Sequence, residues 1–226
     1  MKTFKKQKYL VIRKAISKEL CLFLYNYLLI KRQVTKTMFD YTYIPKIETD
    51  FGTWKDPQVP NNFSCYSDIA METLMLKVQP IMEKHTKLKL YPNYTYMRIY
   101  ENGAELKRHK DRFSCEISTT MNIGGDLWPI YLNPDPKAGH CYGPNRGTHE
   151  VQDYKPTNDK GIKVDLKPGD MLIYRGQELE HWREPFKGSE CAQVFLHYND
   201  VKSKNAKENI FDTRKHIGLP AWFKGR

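Results

Sequence analysis

From Leu88 onward the sequence alternates with a period of two, and this alternation most limits what the chain can fold into. The clearest segment is YTYMRIY at residues 94–100, in which four side chains would share one face of a strand: Tyr94, Tyr96, Arg98 and Tyr100. Five further short strands are predicted between Gly, Pro, Asn and Asp turns, at residues 115–123, 128–132, 162–166, 170–174 and 191–198.

The first third of the chain has a different pattern. A strand is predicted at residues 9–16, and Ser17 is a good N-cap for an amphipathic helix at residues 18–33. A second helix is predicted at about 68–85, with a possible kink at Pro80. The proline-containing stretch 34–64 is predicted to be irregular. Helices followed by short strands predict an α+β fold in which N-terminal helices buttress a β-sandwich or jelly roll.

The charge of the chain lies at its two ends. The net charge is +11, and the 226 residues suit one domain, 1–226, with basic terminal segments at 1–20 and 202–226. The centre is formally neutral, so we interpret the ends as solvated tails, with contact to nucleic acid as the weaker alternative.

Cysteine usage and hydropathy indicate a compartment. The five cysteines form no CxxC pair, which argues against a disulfide framework or a zinc site. No apolar run approaches the roughly 18 residues of a membrane span, and the N-terminus lacks a signal-peptide pattern. We therefore expect a soluble, cytoplasmic protein without a membrane span.

One pair of residues suggests metal chemistry. His109 and Asp111 are two residues apart, so on extended backbone both side chains would point to the same side. A third candidate, His181, follows the segment LKPGDMLIYRGQELEH. Two histidines and one carboxylate on one face of Fe(II) leave coordination positions open for other ligands, whereas a structural zinc site would need a fourth Cys or His.

The blocks around these residues resemble a known family. RIYENGAELKRHKD and LKPGDMLIYRGQELEHWREPFKG are similar to the two metal-binding segments of the 2-oxoglutarate- and Fe(II)-dependent dioxygenases, in particular the prolyl-4-hydroxylase-like branch. The resemblance implies a double-stranded β-helix that holds Fe(II) on His109, Asp111 and His181. It also implies 2-oxoglutarate as co-substrate and ascorbate as an accessory reductant.

The implied reaction is hydroxylation of a C–H bond coupled to decarboxylation of 2-oxoglutarate to succinate. The substrate would be a prolyl or other protein side chain. A free amino acid or small metabolite is the alternative, because one fold serves many functions. A non-catalytic jelly-roll binding protein is a third possibility, against which the intact triad argues. The segments expected to determine specificity are 33–64 and 133–160, and His140 and His149 of the second segment are not assigned to the site.

The co-substrate anchor departs from the family pattern. Relatives usually carry a basic residue nine or ten positions after the distal histidine, where this chain has Glu190 and Cys191. Arg183 is the leading substitute, because arginine binds carboxylates in a fork and a continuing strand would point it inward. The remaining assignments, in order, are Arg98 as second choice, Tyr100 as the family's co-substrate tyrosine, Thr120 and Asn122 as hydrogen-bonding residues, Lys187 as a turn residue, and His197 as structural.

Overall fold

The computed structural model describes residues 3–141 and 154–223. Its helices are α1 (Phe4–Gln7), α2 (Lys18–Asp40) and α3 (Ile69–Thr86), with a 3₁₀ turn at Ile210–Thr213. Its strands are β1 (Tyr9–Ile12), β2 (Phe63–Tyr66), β3 (Leu90–Glu101), β4 (Leu106–His109), β5 (Ile117–Gly125), β6 (Ile130–Leu132), β7 (His140–Cys141), β8 (Tyr154–Lys155), β9 (Ile162–Val164), β10 (Met171–Tyr174), β11 (His181–Arg183) and β12 (Glu190–Asp200).

These strands form two larger antiparallel sheets and one small pair. The larger sheet has the order β1-β10-β5-β12-β3-β2, and the smaller has the order β4-β11-β6-β9. From β3 to β6, and again from β9 to β12, successive strands alternate between the two sheets, as in a jelly roll. The pair β7-β8 stands apart from both.

The alternation of strand β3 separates two interiors. Met97 and Ile99 belong to a core shared with residues of α2 and α3, whereas Tyr100 belongs to a different cluster. Strand β12 divides in the same way, with Val194 in the helix-facing core and Phe195 in the other cluster. The faces predicted for β3 from its period-two pattern are therefore confirmed for Met97, Ile99 and Tyr100. The helices cover one face of the six-stranded sheet, which leaves its other face for the site.

Helix α2 is longer than the sequence pattern indicates. Ser17 caps it by accepting from the backbone N–H of Leu20, as expected. The helix continues to Asp40, so the prediction of irregular structure from residue 34 is wrong for its first seven positions. Phe39 explains the extension, because its buried ring contacts Trp54 at 6.0 Å between centroids. Tertiary packing here outweighs the weak local pattern.

Several other boundaries differ from the predictions. The first strand ends at Ile12 rather than at residue 16, and α3 continues through Pro80. Five strands were not predicted, namely Phe63–Tyr66, Leu106–His109, His140–Cys141, Tyr154–Lys155 and His181–Arg183. Each has two to four residues, which is too short to show a period of two. The insertion predicted at 133–160 is described only at its two ends, and His149 lies outside the described residues.

The basic termini pack against the rest of the chain where they are described. Phe4 is part of the helix-facing core. Near the other end, Arg214 forms a buried ion pair with Glu72, at 2.8 Å between Nη2 and Oε1. These residues anchor both segments to the domain, while most of the described lysines in the two segments are exposed to solvent. Within the described residues, no helix has the length and apolar character needed to cross a membrane.

Candidate functional site

The three predicted metal ligands meet where two short strands of the smaller sheet pair. Strands β4 and β11 are antiparallel, with His109 directly opposite His181. Asp111 follows β4 and places its Oδ1 atom 3.4 Å from His181 Nε2 and 3.7 Å from His109 Nε2. One potential ligand atom from each residue lies within 4.8 Å of the others. This spacing allows one divalent cation to be held by all three side chains.

Backbone carbonyls orient both imidazole rings. His109 Nδ1 is 2.7 Å from the oxygen of Lys107, and His181 Nδ1 is 2.9 Å from the oxygen of Leu179. A carbonyl can only accept, so Nδ1 is the donor in each ring, and Nε2 is the ring atom left to face a metal. Burial, together with the neighbouring His181, lowers the pKa of His109 to about 4. His109 is therefore neutral at pH 7, as ligation requires.

Asp111 is oriented by a short hydrogen-bonded chain. Ser118 Oγ donates to Asp111 Oδ2 at 2.6 Å and lies 3.0 Å from His197 Nδ1. A Cβ atom added to Gly176 would lie 2.0 Å from the same Oδ2, so glycine is required for this close approach. Burial acts to raise the pKa of Asp111, but His181 and the other neighbouring histidines hold it well below its usual range. The side chain is thus a carboxylate whose Oδ1 remains directed at the histidines.

His197 has a closer relation to the site than the sequence suggested. It was assigned a structural role, yet it supports Asp111 through Ser118 and also lines the cleft in front of the histidines. Its ring packs on Tyr94 at 4.6 Å between centroids. The sequence pattern that could have indicated this position is the alternation along β12, which puts His197 on the same face as Phe195.

Arg183 is a buried guanidinium without an acidic partner among the described residues. It is only 1% exposed. Its Nη1 donates to the backbone oxygen of Trp128, and its Nη2 donates to Thr120 Oγ1 at 3.3 Å. Its Nε has no hydrogen-bond partner in the described part of the chain. Burial lowers the pKa of Arg183, whereas Cys191 and Tyr100 act to raise it. An unpaired buried cation is costly to the folded protein. Arg98 is among the residues that line the cleft in front of the histidines, whereas Arg183 lies behind that lining.

Arg98 differs from Arg183 in this respect. It is also buried, but its Nη2 forms an ion pair with Asp56 and donates to Gln58 Oε1 at 2.9 Å. Its positive charge is therefore already compensated by the protein. Of the two arginines predicted as the co-substrate anchor, Arg183 alone has an uncompensated charge.

The other predicted co-substrate residues lie at different distances from this arginine. Thr120 contacts Arg183 directly. Tyr100 is fully buried, and its ring meets Trp128 edge-on at 4.7 Å between centroids. Asn122 donates to the backbone oxygen of Leu166 at 3.1 Å. Asn122 therefore holds the segment before β10, and no described contact joins it to Arg183.

A cleft of about 1260 Å³ opens in front of the histidines. Its wall includes Tyr94, Tyr96 and Phe195 from the larger sheet, and residues 57–62 from the segment predicted to determine specificity. Tyr66 of β2 also contributes, with its ring stacked on Tyr94 at 5.0 Å between centroids. The cleft thus combines the metal-ligand cluster with a group of aromatic side chains, and charged residues such as Lys107 and Arg112 line it as well.

The insertion is attached at its base to the residue before His181. Glu180 is fully buried, and its carboxylate accepts from Tyr154 at 2.9 Å and from the backbone N–H of Thr157 at 3.0 Å. The same carboxylate forms an ion pair with Arg108 at 3.1 Å. Arg108 precedes His109 just as Glu180 precedes His181, so this ion pair joins the two residues next to the histidines, and Arg108 also lines the cleft. His140, in the same insertion, is exposed.

Solved structures of other proteins resemble the fold of this chain, whereas comparisons of its sequence find no match. No protein-family model matches the sequence, and no curated protein matches it. A prolyl-4-hydroxylase from Pseudomonas putida aligns with a TM-score of 0.56 and 12% identity over 87% of this chain and 95% of that chain. HygX from Streptomyces hygroscopicus, solved with nickel and 2-oxoglutarate, aligns with a TM-score of 0.59 and 13% identity over 98% of this chain and 91% of that chain.

EctD from S. alaskensis, solved with 2-oxoglutarate and 5-hydroxyectoine, gives a TM-score of 0.56 and 13% identity over 99% of this chain and 81% of that chain. The fold is that of the 2-oxoglutarate- and Fe(II)-dependent dioxygenases. The resemblance seen in the two sequence blocks is thus confirmed as a likeness of fold.

The support of Asp111 by Ser118 leads to a test of metal affinity. Ser118→Ala removes the donor to Oδ2, and the loss of such a supporting contact typically weakens metal binding about 10- to 100-fold. Mn(II) affinity, measured by calorimetry, should fall by this factor. Thr119→Val is the matched control, because the Thr119 hydroxyl is equally buried on the same strand but has no described partner. Equal affinities in the two variants would contradict a role for Ser118.

The two buried arginines predict opposite effects on folding. Arg183→Met removes an unpaired buried charge, so the free energy of unfolding should rise by about 1 kcal/mol. Arg98→Met leaves Asp56 buried without its partner, so the free energy should fall by about 3 kcal/mol. Urea unfolding of both variants measures the difference. A destabilised Arg183→Met protein would show that the charge of Arg183 is compensated within the chain.

Proposed function

We propose that this chain is an Fe(II)- and 2-oxoglutarate-dependent dioxygenase that hydroxylates a C–H bond, within one oxygenase domain over 1–226. The observation that carries the proposal is the uncompensated charge of Arg183, two residues from His181 on the same short strand. The intact ligand cluster argues against a non-catalytic binding protein. The fold of the compared proteins supports the same conclusion.

The donor set suits the metal. His109 and His181 offer Nε2 atoms and Asp111 offers one carboxylate oxygen, a combination that suits non-heme Fe(II). Ser118 and Gly176 hold Asp111 so that Oδ2 is engaged away from the histidines. The iron, once bound with 2-oxoglutarate and O₂, supplies the oxidation of the substrate C–H bond while 2-oxoglutarate is converted to succinate and CO₂.

Arg183 would bind the distal carboxylate of 2-oxoglutarate. An arginine can donate two parallel hydrogen bonds to a carboxylate, and burial strengthens them. Thr120, which accepts from Arg183 and donates to Gln193, and the nearby Tyr100 would add neutral polar groups beside the carboxylate. Trp128 covers the guanidinium, at 5.1 Å from its ring centroid, and helps to exclude water.

The position of Cys191 explains how the anchor can differ from that of relatives. Cys191 is fully buried and close enough to Arg183 to influence its pKa. In the family that the sequence resembles, a long basic side chain usually occupies this region. A small cysteine leaves room for a guanidinium from the adjacent segment, whereas Glu190 turns away to bond Tyr25 and Arg32. The positive charge is thus kept while its source changes.

The substrate that the cleft favours is a side chain of a protein or peptide, such as prolyl. Small-molecule pockets usually enclose about 300–1,000 Å³, and this cleft is larger and partly open. Its tyrosine wall suits the flat face of a proline ring or another apolar side chain. A free small metabolite is the second candidate, because EctD was solved with 5-hydroxyectoine and HygX in another structure with hygromycin B.

The anchor can be tested by binding alone. Arg183→Met should weaken 2-oxoglutarate binding to the Mn(II)-loaded protein at least about 10-fold, because a charge-assisted pair of hydrogen bonds is lost. Calorimetry under anaerobic conditions gives the affinity. Lys187→Met is the control, since Lys187 is exposed and should leave the affinity unchanged. The reverse order of effects would reassign the anchor.

The reaction itself is tested by succinate formation. With Fe(II), ascorbate and 2-oxoglutarate, the protein should release succinate and add one oxygen atom to its substrate, as detected by mass spectrometry. Proline-containing peptides and a panel of amino acids and metabolites distinguish the two substrate classes. His109→Ala and Asp111→Ala should abolish turnover because each removes a metal ligand. Full turnover by either variant would refute the ligand assignment.

A further inference from the structure

The outer face of α2 carries an apolar stripe that the rest of the described chain does not cover. Phe23, Ile30, Val34 and Tyr41 are 66%, 65%, 48% and 71% exposed. At about 100° per residue, the four side chains fall within about 20° of one line along the helix. The stripe is opposite to the buried face, which includes Leu24 and Leu28. Contiguous exposed apolar surface of this kind marks an interaction site.

The spacing along the stripe reads the same in both directions. The successive intervals are seven, four and seven residues, from Phe23 to Ile30, Val34 and Tyr41. If two such helices pack antiparallel, Phe23 faces Tyr41 of the other copy and Ile30 faces Val34. Every apolar residue thereby meets another one. A surface that is complementary to itself in this way is what a two-fold dimer interface requires.

We propose that α2 pairs antiparallel with α2 of a second copy of this chain, through the stripe formed by Phe23, Ile30, Val34 and Tyr41. This assigns the face to a self-association site that is independent of the proposed catalytic chemistry.

The charges around the stripe favour a second copy over a charged partner. The chain has a net charge of +11, so two copies repel each other unless their contact surfaces are neutral. On one side of the stripe the flanking side chains near its centre are Asn26, Gln33 and Thr37, which carry no charge, and Glu19 lies beside its Phe23 end. On the other side, Lys31 is ion-paired with Asp68 at 3.0 Å. The two-fold axis puts both copies of Lys31 on the same side of the helix pair, where Asp68 compensates the charge of each.

The contact has a limited size and a defined position. The stripe is about 27 Å long at 1.5 Å per residue. Tyr43 extends it, because its exposed ring stacks on Tyr41 at 6.5 Å between centroids and would meet Phe23 of the other copy. A helix pair of this length buries less than the roughly 1,600 Å² of a standard interface, so a dimer of micromolar affinity is expected.

The position of α2 also keeps the site accessible. α2 packs on the face of the six-stranded sheet that is opposite to Tyr96 and Phe195 of the cleft wall. Pairing through α2 therefore leaves both clefts open.

Sedimentation velocity of the full chain, from about 1 to about 100 µM, tests the proposal. The wild-type protein should pass from monomer to dimer over this range. Ile30→Lys and Val34→Asp should each weaken the dimer at least 10-fold, because each places an unpaired charge against an apolar residue. The double variant Ile30→Lys, Val34→Asp should recover dimerisation, because each lysine then faces an aspartate of the other copy. Leu76→Lys, at an exposed leucine of α3, is the control and should dimerise as wild type does.

Three results would overturn the proposal. The first is a wild-type protein that stays monomeric throughout the range. The second is a set of single variants that dimerise as wild type does. The third is a double variant that remains monomeric while the singles are disrupted, since that excludes the antiparallel register. Circular dichroism of each variant distinguishes these results from loss of folding.

Discussion

The antiparallel pairing of β4 with β11 is the interaction on which the site depends. It puts His109 directly opposite His181, although the two residues are far apart in sequence. Each strand has only three or four residues, so the pair gains its stability from the larger jelly roll around it. Carbonyls of the same local segments orient both rings. Backbone pairing thus sets the relative position of the two histidines, and their rings are already oriented by hydrogen bonds.

The two buried arginines differ in whether an acidic side chain compensates their charge. Arg98 is neutralised by Asp56 and holds the segment that forms one wall of the cleft. Arg183 is surrounded by neutral groups, including Trp128 and Thr120. A protein interior rarely keeps an isolated cation unless a ligand completes the pair. The folded chain therefore carries a cost that binding of an anion would offset.

The sequence predicted those site residues that a local motif or the alternation along one strand could identify. The three candidate metal ligands were identified from their flanking motifs, and the structure brings them together. The burial of Arg183 agrees with the inward direction expected from its spacing to His181. The chain from Asp111 through Ser118 to His197 could not be predicted, because it joins strands through register that no local pattern reveals. The pairing of Arg98 with Asp56 depends in the same way on the path of an irregular segment. The end of α2 was missed because the contact of Phe39 with Trp54 decides it.

The buried carboxylate of Glu180 has a consequence for which parts of this protein can vary. It binds Tyr154, Thr157 and Arg108, all through the residue directly before His181. Tyr154 and Arg108 also line the cleft in front of the histidines, and Lys110, which lies between His109 and Asp111, donates to the backbone oxygens of Pro136 and Gly139. The base of the insertion is thus tied to the same two strands that carry the histidines. A mutation at this base would therefore reach the metal site, so the base and the site are expected to change together.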